Sequence, residues 1–279
     1  MCTGNTCRSP MAEAIFRKIV KERNIRGVIC RSCGAAAYAV SYANEKAVRA
    51  MQKYGIDISS HESSLFDRYI ADVTDLFVCM EESYVRILRK IIPNNKTVLL
   101  GSGIPDPYGK GQQAYDECAQ LLFEELNYLA DAIFCKIINM DDDAVKDIRA
   151  IEKECFSAPW TMADIRAELK NETAHFITAK INDKVIGYIG VHEVAGEAYI
   201  ANIAVSEKYR GYGVASRLLN VAESGAKKRG CEFISLEVRK SNEKAISLYE
   251  RRGYEVAGER KNFYTKPDED GLIMTLNFK

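Results

Sequence analysis

Apolar residues recur along this chain in two series of alternating helix and strand patterns. In the first, Met11 to Arg23 has helical spacing, with Ala14, Ile15, Lys18, Ile19 and Glu22 in turn around the cylinder. Val28 to Ser32 reads as a short strand, and Asn44 to Tyr54 as a helix stopped by Gly55. The apolar runs Asp75 to Met80 and Thr97 to Leu100 suit buried parallel strands, and Tyr115 to Ala132 reads as a closing helix. Strands alternating with helices predict a doubly wound, parallel-sheet α/β domain over residues 1–134.

Ile133 to Lys136 lead into a second α/β pattern, which assigns residues 135–279 to another domain. Ala198 to Val205 is a strand pattern. A helix opens at Arg210-Gly211-Tyr212-Gly213-Val214-Ala215, with Val214, Leu218, Val221 and Ala222 on one face and Gly230 as its stop. Leu236 to Asn242, Ala245 to Tyr249 and Gly253-Tyr254 follow. No internal repeat or low-complexity segment interrupts either series.

Composition adds exclusions. The 279 residues are 47% hydrophobic and 28% charged, with 39 basic residues against 39 acidic ones. No global field recruits nucleic acid or membrane, and no 18-residue apolar run or signal-peptide pattern appears. Nine cysteines, an odd number at irregular spacing, fit reduced thiols and a cytoplasmic location. Cys30 and Cys33 form a lone C-x2-C without a second half, so no metal site is expected.

Chemistry concentrates at the start of the chain, in Cys2-Thr3-Gly4-Asn5-Thr6-Cys7-Arg8-Ser9-Pro10. A cysteine and an arginine separated by five residues can wrap backbone N–H groups around a dianion, ahead of a helix N-terminus. The same field stabilises a thiolate nucleophile. Arg8 offers a planar fork for two phosphate oxygens. Gly4 and Asn5 tolerate left-handed backbone.

This string resembles the active-site loop of low-molecular-weight protein tyrosine phosphatases, over about the first 130 residues. The resemblance implies that Cys2 is the nucleophile and that Asp106, in Asp106-Pro107-Tyr108-Gly109, is the general acid. It also implies a hydrogen-bonded shell of Asn5, Ser9, Ser32 and His61 bracing the loop, with Ser9 donating to the thiolate. Thr6 stands where tyrosine-specific members usually carry an aliphatic residue, and a threonine there resembles the protein arginine phosphatase branch. Phosphoarginine is therefore the expected substrate, with phosphotyrosine the alternative. Arsenate reduction on the same fold needs resolving cysteines shortly after the third strand, but the cysteine after Cys79 is Cys118.

The second series is similar to the GNAT acetyltransferases, and within them to ribosomal-protein-alanine N-acetyltransferases of the RimI type, over about residues 137–279. The similarity includes Ala158-Pro159-Trp160 and Asp268-Glu269-Asp270. It implies acetyl-CoA as cofactor, Glu237 as the base that deprotonates an N-terminal amine, and Tyr249 as the acid that protonates the departing thiolate. Asn242 would hold coenzyme A, and the backbone of Ile203, Ala204 and Val205 would pair with its pantetheine arm. Arg210 to Ala215 would receive its pyrophosphate at the helix N-terminus.

One departure affects the first domain. The phosphatase family has a hydrophobic central strand of about six residues before the cysteine, and here only Met1 precedes Cys2. Losing four or five buried apolar side chains at about 1.5–3 kcal/mol each is comparable to a domain's whole stability of about 5–15 kcal/mol. A start codon misassigned at a valine would account for it. The expected protein is a bifunctional cytoplasmic enzyme acting on phosphorylated proteins and on a ribosomal-protein N-terminus. The alternative is an acetyltransferase fused to an inactive phosphatase-like module that binds phosphoproteins.

Overall fold

The computed structural model describes residues 1–93 and 96–278. The chain divides into two compact units, Met1–Asp131 and Ala132–Lys279.

In the first unit, helix α1 (Arg8–Glu22) begins inside the cysteine–arginine loop and buries Met11, Ala12, Ile15, Ile19 and Val20. Helices α2 (Glu45–Gln52) and α3 (Arg68–Val73) are N-capped by Asn44 and Asp67, whose side chains accept from Lys46 N and Ile70 N. Strand β1 (Phe77–Cys79), helix α4 (Glu82–Leu88), strand β2 (Thr97–Leu99) and the long helix α5 (Gln112–Phe134) follow.

Strands β1 and β2 are parallel. Met1 and Cys2 extend this ladder as a two-residue stub. The Met1 ammonium donates to Val78 O at 2.7 Å, and Met80 N donates to Met1 O at 3.1 Å. On its other side Ala35 N donates to Cys2 O at 2.9 Å, and parallel bridges join Cys2 to Gly34 and Gly34 to Leu65. The Met1 side chain packs with Cys33, Ala71, Phe77, Cys79, Val85, Leu88 and Ile92. The result is a small parallel sheet whose carboxyl end carries the loop.

The strand expected at Val28 to Ser32 is not formed. These residues have no ladder partner among the described residues, and Ile29 is 84% exposed. An apolar run makes a strand only where a neighbour supplies hydrogen bonds. Here the ladder beside the segment begins at Cys2 and Gly34, beyond its end.

The second unit holds strand β3 (Lys136–Asn139), helices α6 (Ala144–Cys155) and α7 (Met162–Glu168), and strands β4 (Ala174–Ile181), β5 (Lys184–Val194) and β6 (Glu197–Val205). Helix α8 (Val214–Lys228), strand β7 (Phe233–Arg239), helix α9 (Glu243–Glu250) and strands β8 (Glu255–Tyr264) and β9 (Glu269–Asn277) complete it. The sheet order is β3-β4-β5-β6-β7-β9-β8. Only the β6–β7 pair is parallel.

That pair positions the site. β6 and β7 are joined only from Glu197–Phe233 to Ile200–Leu236, and beyond those residues they part. On the β5 side the register shifts between Gly190 and Val191, so that Ala201 is bulged out of β6 at the same level. Helix α8 buries Val214, Leu218, Leu219, Ala222 and Ala226. Val221, expected on that face, is instead 43% exposed. Its position, three residues after Leu218, falls at the margin of the buried stripe, which Leu219 and Ala226 continue.

Candidate active sites

The loop of the first unit is closed by short polar contacts. Cys2 Sγ lies 2.9 Å from Ser9 Oγ, both buried. Asn5 is fully buried with φ 54°, and its side chain ties three segments together. Its Nδ2 donates to Ser9 Oγ and Ser32 Oγ, each at 2.9 Å, and its Oδ1 accepts from Ser64 N at 2.8 Å. His61 Nε2 is 3.0 Å from Asn5 O. The predicted brace of Asn5, Ser9, Ser32 and His61 is thus brought together around the loop.

Gly4 stands between Thr3 and Asn5; a Cβ there would lie 3.7 Å from Thr6 Oγ1. Thr3 meets Tyr84 OH through its hydroxyl, and its carbonyl accepts from Ala36 N at 2.9 Å. Thr6 O accepts from Asn44 N at 2.8 Å, so loop and α2 cap are fastened together. Cys7 Sγ points away to Tyr115 OH at 3.5 Å, and burial pushes its thiol up.

Arg8 is 2% exposed, yet carries a charge. Burial disfavours that charge, but the hydrogen bond to Glu81 and the charge of Asp106 outweigh it, so the guanidinium is held above its usual range. Nη1 donates to Glu81 Oε1 at 2.7 Å and Ile104 O at 3.0 Å, and Nη2 to Asp106 Oδ2 at 2.6 Å. Arg8 Nε is buried without a hydrogen-bond partner. An orphaned guanidinium N–H in a loop of backbone amides suits an oxyanion. Asp106 Oδ1 accepts from Tyr108 N at 3.1 Å, an Asx turn that aims the other oxygen at Arg8.

Two residues of this site escaped the sequence reading. Glu81 lies 73 positions from Arg8, and no local signal marks it. Gly34, which follows Arg31-Ser32-Cys33, carries none either. A Cβ at Gly34 would sit 2.6 Å from Thr3 O and 3.0 Å from Asn5 N, so only glycine lets this segment lie against the loop.

In the second unit, Glu237 is the first residue of β7 beyond its pairing with β6. Its side chain is 5% exposed; Oε1 pairs with Arg260 Nη1 at 3.2 Å, and Oε2 is buried with no hydrogen-bond partner. Tyr249, on α9, is buried, and burial followed by the nearby Tyr264 pushes its hydroxyl's ionisation up, so it keeps its proton. Its ring centroid is 5.5 Å from that of Tyr254. Asn242 caps α9, its Oδ1 accepting from Ala245 N at 3.2 Å, which leaves Nδ2 as a donor.

Ile203, Ala204 and Val205 lie on the part of β6 that has separated from β7. That edge can receive an extended chain bearing amides. Val205 O accepts from Arg210 Nε at 3.0 Å, which folds Arg210 back against the strand. Gly211 and Gly213 have φ 81° and 86°, and Tyr212 between them is buried. Gly213 is the N-cap of α8 and supplies no side-chain cap. The first amides of the helix, at Val214 and Ala215, therefore remain available for a phosphate group. An amide-bearing arm ending in a pyrophosphate fits this edge and this helix end.

Comparison with known proteins agrees with both halves. Residues 1–139 match the family model described as low molecular weight phosphotyrosine protein phosphatase, and residues 145–254 match the acetyltransferase (GNAT) family. A Bacillus subtilis (strain 168) protein, named provisionally as a [ribosomal protein bS18]-alanine N-acetyltransferase, is 37% identical over 142 residues, 50% of this chain and 94% of that protein. The [ribosomal protein bS18]-alanine N-acetyltransferase of Haemophilus influenzae (strain ATCC 51907 / DSM 11121 / KW20 / Rd) is 32% identical over 129 residues, 44% of this chain and 86% of that protein. A low molecular weight protein-tyrosine-phosphatase of Streptomyces coelicolor (strain ATCC BAA-471 / A3(2) / M145) is 31% identical over 140 residues, 44% of this chain and 84% of that protein. The chain therefore belongs to two enzyme families, the low-molecular-weight phosphatases through its first half and the GNAT acetyltransferases, which use acetyl-CoA, through its second.

Proposed function

We propose that the chain is a bifunctional cytoplasmic enzyme that acetylates the N-terminal alanine of a ribosomal protein and removes phosphate from phosphoarginine in proteins. The acetyl-transfer reading rests on one observation above others. Glu237 Oε2 is a buried carboxylate oxygen without a partner, placed where β6 and β7 diverge. An orphaned acceptor at such a place suits a base for an incoming ammonium.

Acetyl-CoA supplies an activated acetyl group when bound. The first turn of α8 and Asn242 would hold it, and the free edge of β6 would receive its amide-bearing arm. Glu237 takes a proton from the α-ammonium, which at a reference pKa of about 7.7–8.0 is mostly charged at neutral pH. Tyr249, kept protonated by burial, gives a proton to the departing sulfur. The N-terminal substrate class is taken from the likeness to the two acetyltransferases named above.

On the phosphatase side, loop amides and Arg8 hold the phosphoryl oxygens and Cys2 attacks phosphorus. Phosphoryl oxygens replace Asp106 on the guanidinium; the released Asp106 takes up a proton from solvent beside the phosphodianion and passes it to the leaving nitrogen as the N–P bond breaks. Water then cleaves the phosphocysteine with Asp106 as base. Thr6 supports phosphoarginine over phosphotyrosine, because its hydroxyl gives the loop a polar wall for a branched, polar leaving group.

The test is one preparation of the full chain with two assays. Acetyl transfer to an alanine-starting peptide is measured beside hydrolysis of phosphoarginine and phosphotyrosine peptides. Cys2→Ser abolishes hydrolysis and leaves acetyl transfer within about twofold. Glu237→Gln lowers acetyl-transfer kcat by about 10²–10⁴-fold, with acetyl-CoA affinity kept and partial recovery at higher pH. Acetylation of internal lysines but no N-terminal amine refutes the alanine reading. Acetyl transfer without any hydrolysis by the native chain refutes the bifunctional one.

A further inference from the structure

The two oxygens of the Glu237 carboxylate differ in their surroundings. Arg260 on β8 reaches Oε1 at 3.2 Å, whereas Oε2 has no hydrogen-bond partner. The arginine is itself located by two features. Its guanidinium lies over the Phe263 ring, 5.3 Å from the centroid. The β8–β9 pairing runs through Arg260–Gly271 and resumes only at Tyr264–Glu269. Inside that irregularity Asn262 has φ 52° and donates its N–H to Asp270 Oδ1 at 2.8 Å.

We propose that Arg260 is a positioning residue for acetyl transfer: its guanidinium holds Oε1, keeps Glu237 an oriented carboxylate, and leaves Oε2 free to take the proton of the substrate's α-ammonium. This rests on Glu237 being the base. In the step, one N–H bond of the ammonium breaks and one O–H bond forms on Oε2. The amine keeps its lone pair for attack on the thioester carbonyl, and Arg260 keeps its charge throughout.

Among the other groups around Glu237, Tyr199 on β6 also holds the carboxylate: burial, then its hydrogen bond to Glu237, then the charge of Glu237 push the hydroxyl's ionisation up, so it stays a neutral donor. Tyr264 on β8 is pushed up to about 12, by burial and then by the charge of Glu237. Arg239, two residues along β7, lies 4.4 Å above the Tyr264 ring and pairs with Glu269 on β9 at 3.1 Å. Directly across on β9 stands Ile273. Tyr249 on α9 also keeps its proton. Among these groups, Arg260 is the cation paired with Glu237.

The experiment measures kcat, kcat/KM against pH and acetyl-CoA affinity on the full chain, with an alanine-starting peptide. Arg260→Gln, Arg260→Lys and Glu237→Gln are compared with the native protein. Removing a cation beside a carboxylate disfavours the charged form. Arg260→Gln therefore moves the acid limb of kcat/KM to higher pH. It lowers kcat about tenfold and leaves acetyl-CoA affinity within about twofold. Arg260→Lys, which keeps a cation, returns most of the limb. The amine's own titration is common to all forms, so a limb that moves belongs to the enzyme.

An unmoved limb in Arg260→Gln with cofactor affinity intact overturns the proposal. Equal losses in the Gln and Lys variants without a moved limb overturn it too, reducing Arg260 to packing over Phe263. Should Arg260→Gln not fold, Arg260→Met, which keeps the stem on that ring, is read by the same criteria. Full activity in Glu237→Gln refutes the base itself, an outcome distinct from failure at Arg260 alone.

Discussion

Asn5→Ala is the most informative single change in the first unit. It removes three side-chain hydrogen bonds, those to Ser9 Oγ, Ser32 Oγ and Ser64 N. At about 0.5–1.5 kcal/mol each, these come to about 1.5–4.5 kcal/mol. Alanine must also adopt the φ of 54° that asparagine tolerates, which adds about 1 kcal/mol. The expected loss of about 2.5–5.5 kcal/mol is a large part of a domain's stability of about 5–15 kcal/mol. The sole tryptophan, Trp160, lies in the second unit, so its fluorescence does not report this change. Hydrogen exchange does. Peptides covering Cys2 to Ser9 and the Ser64 amide should lose protection by roughly 10²–10⁴-fold, since each 1.4 kcal/mol is tenfold. Phosphatase turnover should fall with it, because Ser9 and the Asn5 carbonyl at His61 lose their common support. Asn5→Gly, which accepts the backbone angle without strain, should recover about 1 kcal/mol and none of the three bonds. Protection and turnover unchanged in Asn5→Ala would refute Asn5 as the brace.

Thr6→Ile reverses the preference between phosphoarginine and phosphotyrosine peptides, read as a ratio of kcat/KM values; an unchanged ratio removes Thr6 from specificity. Gly34→Ala places a Cβ 2.6 Å from Thr3 O and abolishes phosphatase turnover, with acetyl transfer kept within about twofold as the control. Tyr249→Phe lowers acetyl-transfer kcat by about 10²-fold or more, with no recovery at high pH. Alkaline recovery in that variant, like that of Glu237→Gln, would move Tyr249 out of the proton-donor role.

The legible parts of both sites are those whose partners are close in sequence. Cys2 to Ser9 is contiguous, so the loop could be read from one string, although α1 starts at Arg8 and not at the expected Met11, and the Ser9 contact came with the family resemblance. The N-cap of α2 at Asn44 and the glycines at the start of α8 are likewise local signals. Of the long-range contacts, those of Ser32, His61 and Asp106 were expected through the family resemblance alone, and the others left no trace. Glu81 on Arg8, Gly34 against Thr3, and Arg260 and Tyr199 around Glu237 are set by topology, and no periodicity encodes them. Val28 to Ser32 failed for a related reason. Its pattern satisfies strand propensity, yet the hydrogen bonds that make a strand belong to the neighbour.

The two sites share one electrostatic device, a buried charged group left incompletely satisfied. Arg8 has an orphaned Nε in a cradle of amides, and Glu237 an orphaned Oε2 at a parting of strands. Each is held by opposite charge on its other side, Arg8 by Glu81 and Asp106, Glu237 by Arg260. A buried charge without such a partner would lose its ionisation or unfold its surroundings. A charge with every lone pair or N–H satisfied would have nothing to offer a ligand. The partner groups are all more exposed than the ion they hold: Glu81, Asp106 and Arg260 are 41%, 45% and 55% exposed, against 2% for Arg8 and 5% for Glu237. Water can solvate an exposed partner when a ligand displaces it, so the exchange costs less than breaking a buried pair. That asymmetry makes Asp106 free to leave Arg8 for a phosphoryl group, and it confines Arg260 to orienting Glu237 rather than locking it.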